Sequence, residues 1–405
     1  MHFMLIGIIG KPSAGKSTFL NAACLTNAKV GDYPFTTIEP NIGTGYVVTQ
    51  CVCKDLGVQD NPINSICINH NRYIPVKLLD VAGLVPDAHI GKGLGNKFLS
   101  DLSRADVLLH ILDISGELDA EGRKCKTDSH DPMKDIEFLE REINLWFTDI
   151  LLRTDWRKFT NKIIMEKTNF IEALYERLSG LSIGKKHILI SLERSKLTTE
   201  RPDLWNNTDI EHFSKILREI SKPIVIIANK IDRKNSMENF QRLQKISSSP
   251  IIPCSALAEY FLRQLAEKKK IIYRPGASTF ELSNESTLSE KELSILYDIK
   301  QKILVPFGST GIQDALNTAV FNILDNIVVY PVHDEKKYMD HDGNVLPDAY
   351  IIPKDMNVRE FIRLKIHSDM AKNFIYALDA KTKLRLGEHY ELKHNDVIKV
   401  VSAAR

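Results

Sequence analysis

The sequence predicts an α/β fold in which helices cover a mostly parallel sheet, with a helical insertion and a small C-terminal α+β unit. Apolar strands alternate with helix-spaced segments from Phe3 to Lys269, a pattern typical of parallel sheets with helices on both faces. About a hundred residues separate the strand ending at Asp113 from the strand starting at Pro223, far more than a crossover connection needs. A second, shorter strand and helix pattern begins near Asn326.

Length and composition indicate a multidomain globular protein. The 405 residues include 43% hydrophobic and 26% charged side chains, close to globular averages. The net charge of +2, from 54 basic and 52 acidic residues, gives no whole-chain attraction to nucleic acid, and we expect no DNA partner. No segment approaches the roughly 18 to 20 apolar residues that span a bilayer, so we expect a soluble, cytoplasmic protein with no membrane partner.

The cysteines predict free thiols in a reducing compartment. They show neither CxxC spacing nor histidines at zinc-finger spacing, so the sequence alone predicts no zinc site. The six residues are Cys24, Cys51, Cys53, Cys67, Cys125 and Cys254.

Apolar runs and helical periodicity assign the elements of the main sheet in chain order. The predicted strands are Phe3 to Ile9, Ile63 to Asn69, Ile74 to Val81, Val107 to Asp113, Pro223 to Asn229 and Ile251 to Cys254. The predicted helices are Ser17 to Leu25, Gly95 to Ser103, Met237 to Lys245 and Leu257 to Lys269.

The remaining segments predict two further units. Helical spacing recurs around Ile136 to Ile150, Phe170 to Leu178 and Ile210 to Ile220, which indicates a helical hairpin or small bundle. Its charged faces fit a solvated surface better than a partner surface. The last unit has predicted strands Ile327 to Val332, Phe374 to Leu378 and Val397 to Val401 and one helix, Val358 to Ile366. We therefore expect three domains, residues 1–115 with 222–326, residues 116–221, and residues 327–405.

A glycine-rich loop follows the first strand. Its sequence, GKPSAGKS, fits the pattern GxxxxGK[ST] between a buried strand and a helix. Successive backbone amides and the helix N-terminus would cradle phosphates, while Lys16 supplies positive charge and Ser17 a magnesium ligand. The candidate nucleotide contacts in this loop are Gly10, Ser13, Ala14, Gly15, Lys16, Ser17 and Thr18.

Two further segments point to the γ-phosphate side of a nucleotide site. Asp80 closes a predicted strand and could hold magnesium, and Gly83 would let a backbone amide approach the γ-phosphate. The segment 32–41 lies where a switch would sense that phosphate, with Thr36 or Thr37 completing the magnesium shell. The alternative for this segment is a polar turn containing two prolines.

The motif NKID predicts a preference for guanine. It ends a buried strand and comprises Asn229, Lys230, Ile231 and Asp232. The Asp232 carboxylate can accept hydrogen bonds from the N1–H and the amino group of guanine, a donor pair that adenine lacks, so we expect GTP rather than ATP. Ser255 and Ala256 could bring a backbone amide to the guanine O6, although alone they also fit an ordinary helix start.

The motifs together resemble a known family. GKPSAGKST, DYPFTTIEPNIG, DVAGLVPDAHIGKGLGNKFLSDLSRADVLLHILD and NKID are similar to the Obg family of translation-factor-class GTPases, in its YchF-like branch of archaeal type. The stretch from Asn357 to Ser402 resembles the TGS domain, a ubiquitin-like β-grasp unit. The resemblance implies a P-loop NTPase fold, hydrolysis of GTP or ATP, and association with the ribosome or ribosomal RNA. It also favours Thr37 over Thr36 as the magnesium ligand.

The same resemblance frames the expected activity. Many YchF-like proteins carry NxxE and prefer ATP, whereas NKID favours guanine. Leu84 stands where many small GTPases have a water-orienting glutamine, so we expect slow GTP hydrolysis with Lys16, Thr37 and Gly83 in catalytic roles. His89 is the nearest polar candidate, although a solvated switch-loop histidine fits it better. The alternatives are an ATP-preferring YchF-like ATPase and an RNA- or ribosome-binding adaptor with structural nucleotide; oligomeric state is not predicted.

Overall fold

A computed structural model of the chain describes residues 4–24, 42–81, 101–126, 129–153, 155–283 and 287–403. Within these ranges it has the predicted α/β architecture, a mostly parallel sheet with a helical region and a second sheet near the C-terminus. Among the described helices, none has the length and apolar character needed to cross a membrane.

The main sheet has seven strands, and its order explains where functional residues meet. The strands are β1 (Leu5–Ile9), β2 (Ile42–Gln50), β3 (Ile66–Ile68), β4 (Asn71–Asp80), β5 (Val107–Asp113), β6 (Ile224–Asn229) and β7 (Ile251–Pro253). They run in the order β2-β4-β1-β5-β6-β7, with β3 beside β4. All neighbours from β4 to β7 are parallel, while β2 and β3 are antiparallel to β4. The carboxyl ends of β1, β4, β5 and β6 therefore share one edge.

Strand β2 is absent from the sequence prediction. Six of its nine residues are β-branched or aromatic and favour a strand, but Gly43 and Gly45 interrupt the apolar pattern that would have marked it. In the fold it pairs along the whole of β4. Side chains from a later helix satisfy its free edge. Asn317 donates to the Val48 carbonyl oxygen (3.1 Å) and accepts from the Val48 amide (2.9 Å), and Gln313 donates to the Tyr46 carbonyl oxygen (2.8 Å). The edge is thereby protected from pairing with other chains.

Thirteen α-helices of at least four residues lie wholly within the described residues. Helix Glu290–Ile299 continues through a π-helical turn, Lys300–Leu304, into Val305–Phe307. The helices are α1 (Lys16–Ala23), α2 (Cys53–Leu56), α3 (Pro132–Leu152), α4 (Trp156–Glu166), α5 (Phe170–Leu178), α6 (Lys185–Ser195), α7 (Asn207–Ser221), α8 (Ser236–Ile246), α9 (Ala256–Glu267), α10 (Glu290–Ile299), α11 (Ile312–Asn317), α12 (Val358–Phe361) and α13 (Ser368–Lys372).

The insertion between β5 and β6 is a small bundle made of α3 to α7. Its centre is aromatic, since Trp156 and Trp205 stack with ring centroids 5.4 Å apart and Phe213 packs against Trp205. The indole N–H of Trp156 donates to the Pro202 carbonyl oxygen at 2.8 Å. Bundle residues such as Ile143 and sheet residues such as Leu108 belong to one continuous hydrophobic cluster. The bundle therefore packs on the sheet.

The strands described after the main sheet are β8 (Ile271–Ile272), β9 (Glu281–Leu282), β10 (Asn326–Val332), β11 (Tyr350–Pro353), β12 (Phe374–Asp379), β13 (Arg385–Leu386) and β14 (Asp396–Ser402). Five of them form the C-terminal sheet, in the order β11-β10-β14-β12-β13. Helix α12 and its π-helical continuation, Ile362–Ile366, cover one face through buried Phe361. Val328 and Tyr330 point the other way, into a cluster shared with the main sheet. A separate ribbon pairs β8 with β9.

Candidate functional site

The glycine-rich loop lies between β1 and α1, as the motif predicts. Gly15 has a left-handed backbone (φ 106°), and a Cβ there would lie 2.3 Å from the Asn229 side-chain nitrogen. Ala14 is fully buried, and its carbonyl oxygen accepts a hydrogen bond from Asn229 Nδ2 at 2.8 Å. Only glycine therefore fits at position 15, because the Asn229 side chain at the end of β6 packs directly against this part of the loop.

Lys16 points its ammonium group into the hollow of the loop. Its Nζ donates to the carbonyl oxygens of Gly10 (2.9 Å) and Lys11 (3.1 Å). Burial lowers the pKa of Lys16, while the nearby Asp80 carboxylate opposes that shift. A partly buried cation enclosed by a glycine-rich loop at a helix N-terminus is a site for an anionic group.

Ser17 and Asp80 form a pair of oxygen donors beside Lys16. The Ser17 hydroxyl donates to Asp80 Oδ2 at 3.2 Å. Asp80 ends β4 and is in register with Ile8 of the neighbouring β1. Burial raises the pKa of Asp80, while Lys16 and the Ser17 hydrogen bond lower it. Two adjacent oxygens, one of them a carboxylate, are suitable donors for a hard divalent cation, so these residues fit a magnesium site.

Asn229 joins the phosphate side of the site to the NKID side. Besides its bond to Ala14, its side-chain oxygen accepts from the Ala256 amide at 3.1 Å. Lys230 follows in a left-handed conformation (φ 64°), with its Nζ 3.1 Å from Asp113 Oδ2. Ser236 also donates to the Lys230 carbonyl oxygen at 2.9 Å. Four residues from different parts of the chain thus hold the motif: Ala14, Asp113, Ser236 and Ala256.

Asp232 is half-buried and follows the end of β6 by three residues. Among the described residues, Ser255 is the side chain that donates to it, through a 2.7 Å hydrogen bond to Oδ1. The Ser255 amide donates to the Thr310 carbonyl oxygen at 2.9 Å. Gly311 then turns the chain with φ 88°, where an added Cβ would lie 1.9 Å from the Pro253 carbonyl oxygen. The loop from β7 to α9 is therefore fixed by a segment more than fifty residues later.

Asp113 and Thr310 contribute to the site but were not singled out from the sequence. Asp113 is buried at the end of β5, where it accepts from the Ser115 hydroxyl (2.6 Å) as well as Lys230. The sequence did contain a signal for Asp113, namely a carboxylate at the end of the buried strand β5. Thr310 gave no such signal, because its role depends on a tertiary contact with Ser255.

The helical bundle touches the glycine-rich loop from its outer side. Lys11 Nζ lies 2.7 Å from Asp135 Oδ2 of α3 and donates to the Leu118 carbonyl oxygen at 2.9 Å. His130 contacts the other Asp135 oxygen at 2.8 Å. A cavity of about 230 Å³ lies between loop and bundle, and buried His110 lines it. Burial, with Lys11 and Lys16 nearby, lowers the pKa of His110 to about 3, so it is neutral at pH 7.

Several predicted site residues lie outside the described residues. They are Thr36, Thr37, Gly83, Leu84 and His89. The residues that the structure does bring together are Gly10, Ser13, Ala14, Gly15, Lys16, Ser17, Thr18, Asp80, Asn229, Lys230, Asp232, Ser255 and Ala256.

Three family models match successive parts of the chain. Residues 5–141 match a model described as a 50S ribosome-binding GTPase. Residues 227–334 match the G4 motif-containing domain of Obg-like, YGR210-like GTPases. Residues 343–402 match the TGS domain.

Complete proteins are similar as well. A GTP-binding protein of Methanocaldococcus jannaschii is 45% identical, over 99% of this chain and 100% of that one. A GTP-binding protein of Schizosaccharomyces pombe is 39% identical over 81% of both chains. The Obg-like ATPase 1 of Caenorhabditis elegans is 31% identical over 66% of this chain and 65% of its own length.

Two solved structures share the architecture over nearly the whole chain. A GTP-binding protein of Pyrococcus horikoshii superimposes with a TM-score of 0.78 at 36% identity, covering 99% of this chain and 100% of that chain. The YchF GTPase of Schizosaccharomyces pombe gives a TM-score of 0.58 at 17% identity, covering 99% and 98%. The second likeness supports the fold alone.

Proposed function

This chain belongs to the Obg-like, YchF-type family of P-loop GTPases, and we propose that it binds GTP with magnesium and hydrolyses it slowly. The observation that carries the proposal is the position of Asp232. Its carboxylate lies beside Ser255 in a loop that Asn229 ties to the phosphate-binding loop. Base reading and phosphate binding would thus take place on one connected framework.

The base preference follows from hydrogen-bond chemistry. Asp232 would accept the N1–H and amino protons of guanine. The predicted amide contact to the O6 finds no support here, because the Ser255 amide donates to the Thr310 carbonyl oxygen and the Ala256 amide donates to Asn229. Adenine offers no donor pair at these positions, so its binding would leave a partly buried carboxylate unpaired, at a cost on the order of 1–3 kcal/mol. We therefore propose GTP as the substrate.

On the phosphate side, the chain's own groups would hold and stabilise the triphosphate. Lys16 and the loop amides from Gly10 to Thr18 would offset charge that develops on the phosphate oxygens during water attack. Ser17 and Asp80, with Thr37, would hold the magnesium ion, which would neutralise negative charge on the phosphates. Gly83 would place a backbone amide at the γ-phosphate.

Hydrolysis would be slow in isolation, because Leu84 cannot orient a water molecule by hydrogen bonding. We propose that the protein acts in the cytoplasm as a nucleotide-dependent switch on the ribosome or its RNA. Support comes from the model for residues 5–141, whose description is a 50S ribosome-binding GTPase, and from the TGS domain match. The working units would be residues 1–115 with 222–326, the insert 116–221, and residues 327–405.

An adaptor that uses nucleotide only to brace its fold makes a different prediction. A switch should change its turnover rate when ribosomes are added, whereas an adaptor should not. Steady-state and burst measurements of GTP hydrolysis, with and without ribosomes, separate the two.

A second candidate substrate is ATP, because the similar Caenorhabditis elegans protein is named an Obg-like ATPase. Calorimetric competition of GTP and ATP for the magnesium-loaded protein, repeated with Asp232→Asn, decides between them. We expect wild type to prefer GTP by tenfold or more, about 1.4 kcal/mol, and the variant to lose that preference. Equal or tighter ATP binding by wild type would overturn the guanine assignment.

A further inference from the structure

Three thiols and a carboxylate converge at the end of β2, away from the nucleotide motifs. The donor atoms of Cys51, Cys53, Asp60 and Cys67 all lie within 4.8 Å of one another. The Cys53 and Cys67 sulfur atoms are 3.9 Å apart, and Cys51 Sγ is 3.3 Å from Asp60 Oδ2. The sequence prediction against zinc considered only finger-type spacings, which this arrangement does not use.

The backbone brings these donors together through two tight turns. Cys51 directly follows β2, and Cys53 starts the short helix α2, which Gly57 ends in a left-handed conformation (φ 63°). The β3–β4 hairpin turns at Asn69 and His70, both with positive φ, and so returns the middle residue of β3 to the same point. The His70 carbonyl oxygen accepts from the Cys51 amide at 2.8 Å, which joins the two turns.

The spacings fit tetrahedral coordination of a small ion. With zinc–sulfur bonds of about 2.3 Å, two sulfur ligands of a tetrahedron lie about 3.8 Å apart, and a sulfur and an oxygen ligand about 3.5 Å apart. The observed 3.9 Å between Cys53 and Cys67 and 3.3 Å between Cys51 and Asp60 are close to these values, and the other four donor pairs lie within 4.8 Å. Small side-chain movements would therefore bring the four donors to one ion.

The surroundings suit an anionic ligand set. Three thiolates and a carboxylate carry more negative charge than a divalent ion neutralises. Fully buried Arg72 offsets part of the excess, because its guanidinium lies 2.8 Å from Asp60 Oδ2. The same guanidinium donates to the Leu346 carbonyl oxygen at 2.6 Å and lies over the Tyr330 ring. A charged arginine held in this position orients Asp60 toward the sulfur atoms.

We propose that Cys51, Cys53, Asp60 and Cys67 form a structural zinc site. Soft thiolate ligands select zinc over magnesium or calcium, and four protein ligands leave no open position for catalysis. Binding would displace the three thiol protons to solvent. This inference does not depend on the proposed GTPase activity.

The site would fasten the C-terminal unit to the main sheet. Immediately after Asp60, the Asn61 amide donates to the Val345 carbonyl oxygen at 3.1 Å, and the Ile63 amide donates to the Pro347 carbonyl oxygen at 2.7 Å. A metal that fixes Asp60 would also fix this docking segment. Metal removal should therefore loosen the attachment of the C-terminal sheet.

The first test measures the metal content of the full-length protein, produced with zinc in the medium and purified under reducing conditions. Elemental analysis should give about one zinc ion per chain for wild type and for Cys125→Ser, a control cysteine that is half-buried outside the cluster. Cys53→Ser and Cys67→Ser should lose most of it. Wild type without zinc, or cluster variants that retain it, would overturn the proposal, as would a Cys53–Cys67 disulfide under these conditions.

The second test uses wild-type protein alone, in case the cysteine variants fail to fold. Chelation followed by anaerobic addition of cobalt(II) should produce the thiolate-to-cobalt charge-transfer absorption of a tetrahedral thiolate site, and added zinc should abolish it. The melting temperature should fall on chelation and recover with zinc. The absence of a charge-transfer band would refute the site, as would a melting temperature that changes neither on chelation nor on addition of zinc.

Discussion

The side-chain amide of Asn229 donates to the Ala14 carbonyl oxygen at 2.8 Å, and its oxygen accepts from the Ala256 amide at 3.1 Å. One side chain thus joins the phosphate-binding loop to the loop beside Asp232. A parallel sheet makes this possible, because β1 and β6 lie on either side of β5 and end at the same edge. The role of Asn229 is therefore to position both loops.

We predict that Asn229→Ala weakens GTP binding about tenfold to a hundredfold. The change leaves a buried carbonyl and a buried amide unpaired, at roughly 1–3 kcal/mol for each group. Titration with a fluorescent guanine nucleotide measures the loss. Asn239→Ala is the matched control, since Asn239 also donates to a backbone carbonyl, that of Ile114 (3.0 Å), outside the site. Equal losses in both variants would contradict the positioning role.

We predict that Ser17→Ala removes most of the magnesium dependence of GTP binding. The Ser17 hydroxyl is the partner of Asp80 in the proposed metal site. GTP affinity at saturating magnesium should fall by about 1.5–3 kcal/mol, while affinity in excess chelator should stay near that of wild type. Ser191→Ala, which removes a buried hydroxyl bonded to its own helix at the His187 carbonyl, should bind like wild type. An unchanged magnesium titration in Ser17→Ala would exclude Ser17 as a ligand.

The sequence was sufficient for the parts of the site that are local in the chain. The loop Gly10 to Ser17 and the strand-ending Asp80 and Asn229 carry their own signals, because glycine spacing and apolar runs are short-range patterns. Strand β2 was missed although six of its nine residues favour strands, because Gly43 and Gly45 interrupt its apolar pattern and its pairing with β4 is a tertiary contact. The same limit applies to Thr310, whose contact with Ser255 crosses more than fifty residues.

Among the cysteines, local spacing led to a negative prediction for zinc. The donors come from the end of β2, the following turn and a hairpin strand, at spacings that match no finger pattern. Their convergence depends on the register of β2 and β3 against β4. Register is a tertiary property, and single-sequence periodicity does not fix it.

We predict that His110 makes folding stability depend on pH below neutrality. Burial lowers its pKa from 6.5 to about 3. The unfolded chain therefore binds a proton at this histidine near pH 6.5, whereas the folded chain binds it only near pH 3. Neutral His110 therefore costs no stability above pH 6.5. As the pH falls from 6.5 toward 3, the free energy of unfolding falls by about 1.4 kcal/mol per pH unit. Between pH 7 and pH 5, the free energy of unfolding should fall by about 2 kcal/mol less for His110→Gln than for wild type. Denaturant unfolding at the two pH values measures the difference.

Histidine at an exposed position is the control for this effect. His212 is exposed on α7, and His212→Gln should show the same pH dependence as wild type. If His110→Gln also follows wild type between pH 7 and pH 5, the acid sensitivity arises from other groups.

We predict that Gly311→Ala destabilises the fold by several kcal/mol and also weakens nucleotide binding. Its left-handed backbone (φ 88°) disfavours any side chain, and its Cβ would meet the Pro253 carbonyl oxygen at 1.9 Å, so the backbone must move. That movement displaces Thr310, which holds Ser255 next to Asp232. Denaturant unfolding and fluorescent nucleotide titration measure the two effects.

Gly308→Ala separates the steric clash from the backbone strain. Gly308 is also left-handed (φ 76°), but an added Cβ there meets nothing within 4 Å. Gly308→Ala should lower the free energy of unfolding by only about 1–2 kcal/mol, because alanine is disfavoured in a left-handed conformation. Nucleotide affinity should stay unchanged, since no neighbouring residue is displaced. The excess loss in Gly311→Ala then measures the contact with Pro253. Equal stability losses, with nucleotide binding intact in both, would mean that the segment around Thr310 does not position the base-reading loop.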